Sequence, residues 1–351
     1  MPIYHAAAGR HTGDGGARRT EDRTPMSTQR RVVIREFGAP GVMVVETGDL
    51  PEPAAGEVRI RHTAIGFNFI DVYQRKGIYP LPLPTGLGFE AAGVVEAIGP
   101  GVSGFAEGDR VATMNAGVGA YADRRIVPAD KLVPLPESVS DEAAASLLFK
   151  GLTAQYLLRR THAVQAGDLL LVHSAAGGVG QILARWATAL GATVVGTTGS
   201  PHKREAALAA GCTAVVDLTD PDWPKAFLEA TGGRKARVVY DAVGRDTLLA
   251  SLDCAAPFGL VVSYGAASGP APAVDPELLN KKGCLFLTRP SVFPHNADPA
   301  LLRANAADLF DAIAHGHVRV DVGRRFALDD IVAAHAAAEA REVVGAIVVT
   351  P

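Results

Sequence analysis

A glycine cluster in the middle of the chain has the residue types and the setting of a phosphate-binding loop. The segment 169–181, LLLVHSAAGGVGQ, begins as an apolar β-type run, and ILARWATALGA then continues with helical spacing. Glycines allow the backbone to approach a pyrophosphate, and the helix start offers free N–H groups and a positive dipole end. The A-x-G-x-x-G pattern predicts a dinucleotide-binding turn lined by Gly177, Gly178, Val179 and Gly180, with an unrelated glycine-rich turn as the alternative.

The residues after the next strand favour a phosphorylated dinucleotide. About 20 residues after such a loop, an NAD site usually carries an acidic residue for the ribose 2′-hydroxyl. This chain has Thr197-Thr198-Gly199-Ser200 there, followed by Lys203. An acid would repel a 2′-phosphate, whereas the Ser200 hydroxyl and the Lys203 ammonium would attract one. We therefore expect NADPH as the cofactor; the alternative for Lys203 is an ordinary solvated helix lysine.

Composition limits the class of protein. The 351 residues suffice for two domains, and 48% of them are hydrophobic and 20% charged, as in soluble α/β proteins. The net charge of −3 shows no basic surplus for a nucleic acid or a membrane surface. The three cysteines, Cys212, Cys254 and Cys284, form no CxxC pair, which indicates a reducing cytoplasm and three small core residues rather than disulfides or a four-cysteine zinc lobe.

Residues 1–26 differ from the rest of the chain. They are polar, glycine-rich and arginine-bearing, and they lack the apolar core of a signal peptide. We expect this segment to be disordered, and we interpret Met26 as the true initiator behind an upstream start codon.

The organisation of the chain changes near Asp141. Before it, short β-type segments separated by glycine and proline turns predict a mostly β domain. After it, six apolar strands with crossover helices predict a doubly wound parallel sheet. The one or two helices, basic strand, further helix and terminal strand that follow are too short to be a domain. We therefore expect an α/β protein with a discontinuous domain at 27–151 and 289–351 and a nucleotide-binding domain at 152–288.

Several motifs together identify a family. They are AIGFNFIDVYQRKGIYP, PTGLGFEAAGVVEAIG, FKGLTAQYLL, HSAAGGVGQ, RVVYDAVGRDT and LTRPS. From about Arg31 to Pro351 the chain resembles the medium-chain dehydrogenase/reductase superfamily, and within it the NADPH:quinone oxidoreductase, or zeta-crystallin-like, branch. The resemblance implies a GroES-like mostly-β domain plus a Rossmann domain, and hydride transfer from NADPH to a quinone without a metal. It also implies a homodimer joined through the sixth strand, Leu285–Thr288.

The chain departs from the zinc alcohol dehydrogenases of the same superfamily. Those enzymes hold a catalytic zinc through a Cys in the segment matching IGFNFID, a His in a GHE motif, and a Cys or Asp near the segment matching FKGLT. Here the matching places carry Asn68, Phe89 and residues 149–150, and only Glu90 could serve as a ligand. A catalytic zinc needs three protein ligands, so we expect no metal site and no alcohol oxidation through a zinc alkoxide.

The resemblance also implies roles at the nicotinamide end of the cofactor. Asn68 matches an amide that faces nicotinamide and substrate, with a buried turn asparagine as the alternative. Tyr73 and Tyr79 match tyrosines near the active-site mouth, where a phenol could stack on a quinone, with plain packing as the alternative. Lys150 and Thr153 match residues used against the ribose–nicotinamide end; a surface lysine and a helix N-cap are their alternatives.

The ends of the later strands complete the expected cofactor site. Ser263, Tyr264 and Gly265, after the fifth strand, and the segment 289–291 should flank the nicotinamide, because ligands of doubly wound sheets lie at the carboxyl ends of the strands.

One further basic residue is expected at the 2′-phosphate. Arg341 matches a residue that joins Ser200 and Lys203 there, and an exposed helix-end arginine is its alternative. Where the family often has a Tyr after the third strand, this chain has Leu218, which predicts a weaker preference for NADPH over NADH.

Two other functions remain open. An NADPH-dependent enone or enal double-bond reductase would use the same scaffold, because such a double bond is also electron-poor. A binding protein of the crystallin or AU-rich RNA-binding type is the alternative from another class, and the acidic net charge weakens its RNA-binding form. None of the ten histidines lies in a metal-spaced pair with a nearby carboxylate, and we expect His173 to be buried and hydrogen-bonded rather than a proton donor.

Overall fold

The computed structural model describes residues 27–319, 321–340 and 342–351; the disorder expected for residues 1–26 and the role expected for Arg341 concern positions outside these ranges. In these ranges the strands are β1 (Ser27–Val33), β2 (Val44–Leu50), β3 (Glu57–Gly66), β4 (Glu90–Ile98), β5 (Arg110–Thr113), β6 (Arg124–Pro128), β7 (Val133–Pro134), β8 (Leu169–Val172), β9 (Thr193–Thr198), β10 (Ala214–Asp217), β11 (Ala236–Asp241), β12 (Ala255–Ser263), β13 (Phe286–Thr288), β14 (Val322–Ala327) and β15 (Ala346–Thr350). The helices there are α1 (Phe69–Arg75), α2 (Asp141–Tyr156), α3 (Gly178–Ala189), α4 (Arg204–Ala209), α5 (Trp223–Ala230), α6 (Leu248–Cys254), α7 (Pro276–Lys281), α8 (Val292–His295), α9 (Pro299–Ala314) and α10 (Ile331–Glu339).

A six-stranded parallel sheet forms the half of the molecule for which the sequence predicts nucleotide binding. Its strand order is β10-β9-β8-β11-β12-β13, and every neighbouring pair is parallel. In sequence order of these six strands this is 3-2-1-4-5-6, the doubly wound arrangement, with the crevice of the switch point between β8 and β11. β8 is buried along its whole length, as expected for a central parallel strand with helices on both faces. The predicted α/β fold with this sheet is confirmed.

A seven-stranded sheet forms the other half. Six of its strands follow the order β14-β15-β3-β4-β5-β7, and β6 pairs with β3. The pairing of β15 with β3 is antiparallel and joins the last strand of the chain to one of the first. A separate antiparallel ribbon, β1-β2, lies nearby in sequence. The C-terminal segment thus contributes two strands to the sheet that the front half builds.

Helix α2 packs against both halves. It begins at Asp141 after Ser140, whose hydroxyl accepts from the backbone N–H of Ala143, a regular N-cap. Its face of small and apolar residues packs on β3 and β4 and also on α3 and α9. One hydrophobic cluster therefore runs from Ala64 and Ala92 in the seven-stranded sheet to Val172 in the parallel sheet. Side chains carried by α2 lie between the two sheets.

Two details differ from the sequence interpretation. Helix α1 interrupts the front half, which was expected to be mostly β and for which no helix was named; its signal is the pair Asn68 and Asp71, spaced as a capping box. Cys284 lies in the turn before β13, with φ of +54°, and is exposed rather than a core residue; Cys212 and Cys254 are buried as predicted. In the part of the chain described here, no helix has both the length and the hydropathy to cross a bilayer.

The close approach of β3 to α2 gives a first prediction. A Cβ built on Gly66 would lie 1.9 Å from the carbonyl oxygen of Ala145 and 2.5 Å from Oε2 of Glu90. We expect Gly66→Ala to lower the free energy of unfolding by about 3 kcal/mol, the upper part of the overpacking range, as measured by urea denaturation. Gly48→Ala in β2 is the control, since nothing lies within 4 Å of its added Cβ. Equal midpoints for the two variants would contradict this account.

Candidate active site

Asn68 lies between the end of β3 and the start of α1 and is 4% exposed. Its backbone is extended, and as the N-cap of α1 it accepts the backbone N–H of Asp71 on its own carbonyl oxygen at 3.0 Å. Its side-chain Nδ2 donates to Oε2 of Glu90 at 2.8 Å. Because a carboxylate can only accept, this contact assigns Nδ2 to the Glu90 side and turns the amide Oδ1 away from it.

Glu90 organises this site. In the sequence analysis it was only the one residue, among those matching the zinc ligands of the alcohol dehydrogenases, that could still bind a metal. It begins β4, is 0% exposed, and its two oxygens take separate donors. Oε1 accepts the backbone N–H of Phe149 at 2.6 Å, while Oε2 accepts Asn68 and lies 3.7 Å from Nζ of Lys150. Burial raises the pKa of Glu90, and the Lys150 ammonium and the two N–H donors oppose that rise.

Lys150 connects Asn68 to the glycine loop. From helix α2, its Nζ donates to the carbonyl oxygen of Phe67 at 2.9 Å, next to Glu90. Its aliphatic stem lies so close to Gly178 that an added Cβ there would be 3.0 Å from the Lys150 Cδ. The surface-lysine alternative is therefore wrong: the side chain is 12% exposed and spans from the first sheet to the predicted phosphate loop.

The glycine loop has the form that a pyrophosphate requires. Helix α3 begins at Gly178 without any side-chain cap, so its first-turn N–H groups can serve a bound anion. A Cβ at Gly180 would lie 2.2 Å from the carbonyl oxygen of Ser174, so only glycine allows the helix to pack this closely on the turn. A Cβ added at Gly177 would meet only Ser174, so the loop backbone at Gly177 can be approached by a ligand. The glycine loop and the first turn of α3 therefore fit the pyrophosphate of a dinucleotide.

The predicted aromatic residues lie together beside Asn68. Tyr73 projects from α1, and its ring centroid is 5.6 Å from that of Tyr79 in a T-shaped arrangement and 5.9 Å from that of Phe69. Tyr79 is 40% exposed and Phe69 is 46% exposed. A solvent-facing aromatic cluster next to a buried polar centre is suited to a flat, apolar acceptor.

Thr153 is not the helix N-cap that was the alternative to a role at the cofactor. It lies one turn beyond Lys150 inside α2, and its hydroxyl donates to the carbonyl oxygen of Phe149 at 2.8 Å. It is therefore not a helix N-cap; Ser140 caps this helix.

The ends of the parallel strands bring further predicted residues into place. Ser200 follows β9, and its Oγ lies 2.6 Å from Nδ1 of His202, one residue before Lys203. At the carboxyl end of β12, nearer the opposite edge of the same sheet, Nη1 of Arg289 donates to the carbonyl oxygen of Ser263 at 3.0 Å. It also donates to the carbonyl oxygen of Gly265 at 3.2 Å.

Two remaining residues at the strand ends also have definite positions. The backbone N–H of Tyr264 donates to the carbonyl oxygen of Asp241 at 2.9 Å, which places Tyr264 beside the end of β11. The backbone N–H of Leu218 donates to Thr198 at 2.9 Å, so Leu218 adjoins the end of β9.

His173 is a structural residue, as predicted. The residue follows β8 and is fully buried. Its Nδ1 lies 2.9 Å from the Thr197 hydroxyl, and its Nε2 lies 2.9 Å from the Ser251 hydroxyl. Burial lowers the pKa of His173, so the ring is neutral at physiological pH. Among the residues that the structure describes, no three His, Cys, Asp or Glu side chains are grouped so as to hold a metal ion.

The Glu90–Lys150 pair generates a prediction about stability. Lys150→Met leaves the buried Glu90 carboxylate without its cation, which destabilises a protein by about 3–5 kcal/mol for such pairs. Because a raised pKa of Glu90 makes the folded state prefer the protonated acid, we expect the loss to be largest near pH 8 and to shrink towards about pH 5. Urea denaturation at both pH values measures this.

A matched control for this variant is Arg35→Met, which removes the cation of the exposed Arg35–Glu46 pair. We expect it to have little effect at either pH. A loss in Lys150→Met that does not depend on pH would show that packing of the lysine stem, and not its charge, is what matters.

Comparison with known proteins gives the same family over about nine-tenths of the chain. A family described as "Alcohol dehydrogenase GroES-like domain" matches residues 54–137, and one described as "Zinc-binding dehydrogenase" matches residues 178–294. The chain is 44% identical to the quinone oxidoreductase of Pseudomonas aeruginosa, over 92% of this chain and 99% of that protein. It is 43% identical to the 2-haloacrylate reductase of a Burkholderia species, over 91% and 98% of the two chains.

Solved structures agree with this assignment. The quinone oxidoreductase of Escherichia coli in complex with NADPH is 42% identical and superposes with a TM-score of 0.89, covering 93% of this chain and 100% of that one. Together with the glycine loop, the 3-2-1-4-5-6 sheet and the buried Asn68–Glu90–Lys150 centre, these matches establish that the chain belongs to the quinone oxidoreductase family of the medium-chain dehydrogenases/reductases.

Proposed function

We propose that this protein is an NADPH:quinone oxidoreductase that works without a metal. The observation that carries the proposal is Lys150, which contacts the glycine loop with its stem and the Asn68–Glu90 centre with its ammonium. A cofactor whose pyrophosphate lies on the loop would have its nicotinamide end directed to Asn68. The NADPH complex of the Escherichia coli relative supports the same cofactor for this chain.

The residues of the chain position the cofactor and the acceptor and exclude water from them; they do not themselves gain or lose electrons. Bound NADPH supplies a hydride from C4 of its nicotinamide, and one proton from solvent completes reduction of a quinone to a hydroquinone. Glu90 orients the Asn68 amide so that its Oδ1 can hold a donor of the nicotinamide end. Tyr73 and Tyr79 would stack on the acceptor and exclude water from it, which favours transfer by proximity.

The 2′-phosphate of the cofactor would be held by Ser200, Lys203 and Arg341. Ser200 and Lys203 follow β9 at the carboxyl edge of the parallel sheet, where ligands of such sheets bind. No acidic residue stands between Thr197 and Lys203 to repel the phosphate. Thr153, Tyr264 and Arg289 would lie at the nicotinamide half.

A double-bond reductase is the second candidate. The relative named 2-haloacrylate reductase is almost as similar to this chain as the quinone oxidoreductases are. Its named substrate is an acrylate, whose electron-poor double bond could accept a hydride in the same place as a quinone.

The edge strand β13 supports a homodimer. Among the residues that the structure describes, β13 pairs with β12 on one side and with no strand on the other. Two large aromatic side chains, Phe258 of β12 and Phe286 of β13, are 63% and 62% exposed. Pairing of β13 with a second copy would extend the sheet and cover both rings. We propose a homodimer on this basis. The sparse, unpaired cysteines support a cytoplasmic location, and the two sheets support domains at 27–151 plus 289–351 and at 152–288.

The activity is tested by NADPH oxidation after treatment with EDTA. We expect fast turnover with 1,4-benzoquinone, slow turnover with a linear 2-alkenal, and no loss on chelation. Preference for the alkenal or an alkyl enone would favour the double-bond reductase. Binding of NADPH without turnover of any acceptor would favour the binding-protein alternative.

Cofactor choice is tested by Lys203→Ala. We expect its Kd for NADPH to rise about tenfold, since a charged contact with a phosphate is lost, while binding of NADH stays unchanged. Lys225→Ala, on the exposed face of α5, is the matched control and should affect neither cofactor. Fluorescence titration of the nicotinamide measures both constants, and an equal loss for NADPH and NADH would contradict a 2′-phosphate contact.

The dimer is tested by Phe286→Asp. A charge on the exposed edge should prevent strand pairing and give a monomer in sedimentation velocity. Leu249→Asp, on a half-exposed position of α6 away from this edge, should leave the oligomer intact. A monomeric wild type, or a dimeric Phe286→Asp variant, would disprove assembly through β13.

A further inference from the structure

A second buried network holds the backbone of Asn68. Oδ2 of Asp71 accepts the backbone N–H of Asn68 at 2.9 Å and the Tyr121 hydroxyl at 2.7 Å. The other oxygen, Oδ1, is buried and has no hydrogen-bond partner within the described part of the chain. Both Asp71 and Tyr121 are fully buried. Nothing in the proposed hydride transfer uses Asp71, yet it touches the residue placed at the nicotinamide.

The network continues into the C-terminal helix α10. Nε2 of His335 lies 3.3 Å from the Tyr121 hydroxyl, and Nη1 of Arg75 lies 3.2 Å from Nδ1 of His335. Arg75 also pairs with Glu339. A guanidinium can only donate, so Nδ1 of His335 accepts and its Nε2 carries the hydrogen. Every hydrogen then points one way, from Arg75 through His335 and Tyr121 to Asp71.

The Phe67–Asn68 peptide is consequently held at both of its polar atoms. Lys150 donates to the Phe67 carbonyl oxygen at 2.9 Å, and Asp71 accepts from the Asn68 N–H at 2.9 Å. We propose that Asp71, held by Tyr121 and His335, is a positioning residue that fixes the Asn68 peptide at the nicotinamide end of the cofactor site. This inference rests on the proposed reductase function.

The charge of Asp71 then controls how firmly the peptide is held. Burial raises the pKa of Asp71 to about 7, and the nearby Glu90 adds to the rise, while the Asn68 N–H, Tyr121 and Lys150 oppose it. A carboxylate accepts hydrogen bonds more strongly than a neutral acid. Protonation of Asp71 as pH falls through about 7 should therefore loosen the Asn68 peptide and lower kcat.

Two titratable groups of α10 in this network, His335 and Glu339, keep one charge state near pH 7. Burial and the Arg75 charge lower the pKa of His335 to about 3, so its ring stays neutral. Glu339 is kept ionised by Arg75 and Lys76, which lower its pKa against the effect of burial. Burial raises the pKa of Glu90 against the opposing Lys150 ammonium, so an Asp71→Asn variant is needed to separate the titrations of the two carboxyls.

Tyr121→Phe tests the inference with a matched control. It removes one donor to Asp71, which should move the acid limb of the kcat–pH profile with benzoquinone to higher pH by about one unit. The Kd of NADPH should change less than about twofold, because the phosphate contacts are untouched. Tyr240→Phe also removes a buried hydroxyl hydrogen bond, to the Leu157 carbonyl oxygen at 3.0 Å, and should leave the profile in place.

A readout independent of turnover is the infrared carboxylic-acid C=O stretch of the protein without cofactor. We expect a band that titrates near pH 7 in the wild type, shifts in Tyr121→Phe and is absent in Asp71→Asn. If the wild type reduces no acceptor, the proposed function fails, and the infrared titration still tests Asp71. If the wild type is active but Tyr121→Phe and Tyr240→Phe share one pH profile, the positioning inference alone is wrong.

Discussion

The burial of the Glu90 carboxylate is the constraint on which the site depends. A charge that is 0% exposed must be satisfied by donors, and here the donors come from two different elements. Asn68 reaches it from the end of β3, and the Phe149 N–H and Lys150 reach it from α2. Satisfying one carboxylate therefore fixes the amide orientation, the helix position and the lysine at the same time.

The same constraint couples the two sheets. Lys150 can reach Glu90 only because α2 packs on β3 and β4, and it meets Gly178 only because α2 also packs on α3. Gly66 and Gly180 permit these approaches, since a Cβ at either position would lie within 2.2 Å of a backbone oxygen. Close packing of small residues thus places the charge centre and the phosphate loop within the length of one lysine side chain.

In zinc alcohol dehydrogenases, as the family resemblance implies, a metal holds the corresponding region together. In this chain the carboxylate remains, and the positive charge beside it belongs to Lys150. A lysine is a compact point charge on a flexible stem, and it offers donors rather than an open coordination position. Such a centre can orient an amide and a peptide, but it cannot polarise an alkoxide as a metal does. This difference suits a reaction in which cofactor and acceptor carry the redox chemistry.

The amino-acid sequence by itself determined the strand–turn–helix of the glycine loop, the six-stranded parallel sheet and the family. Those features rest on local pattern, namely apolar runs, glycines at fixed spacing and motif order, which a linear reading detects. It also selected Asn68, Tyr73 and Lys150. The capping-box spacing connects Asp71 to Asn68 in the sequence, but only the tertiary structure decided what else holds these residues. Glu90, Tyr121 and His335 are separated by tens to hundreds of residues, and no periodicity connects them. Their contacts arise because buried polar atoms must find partners wherever the packing of distant segments places them.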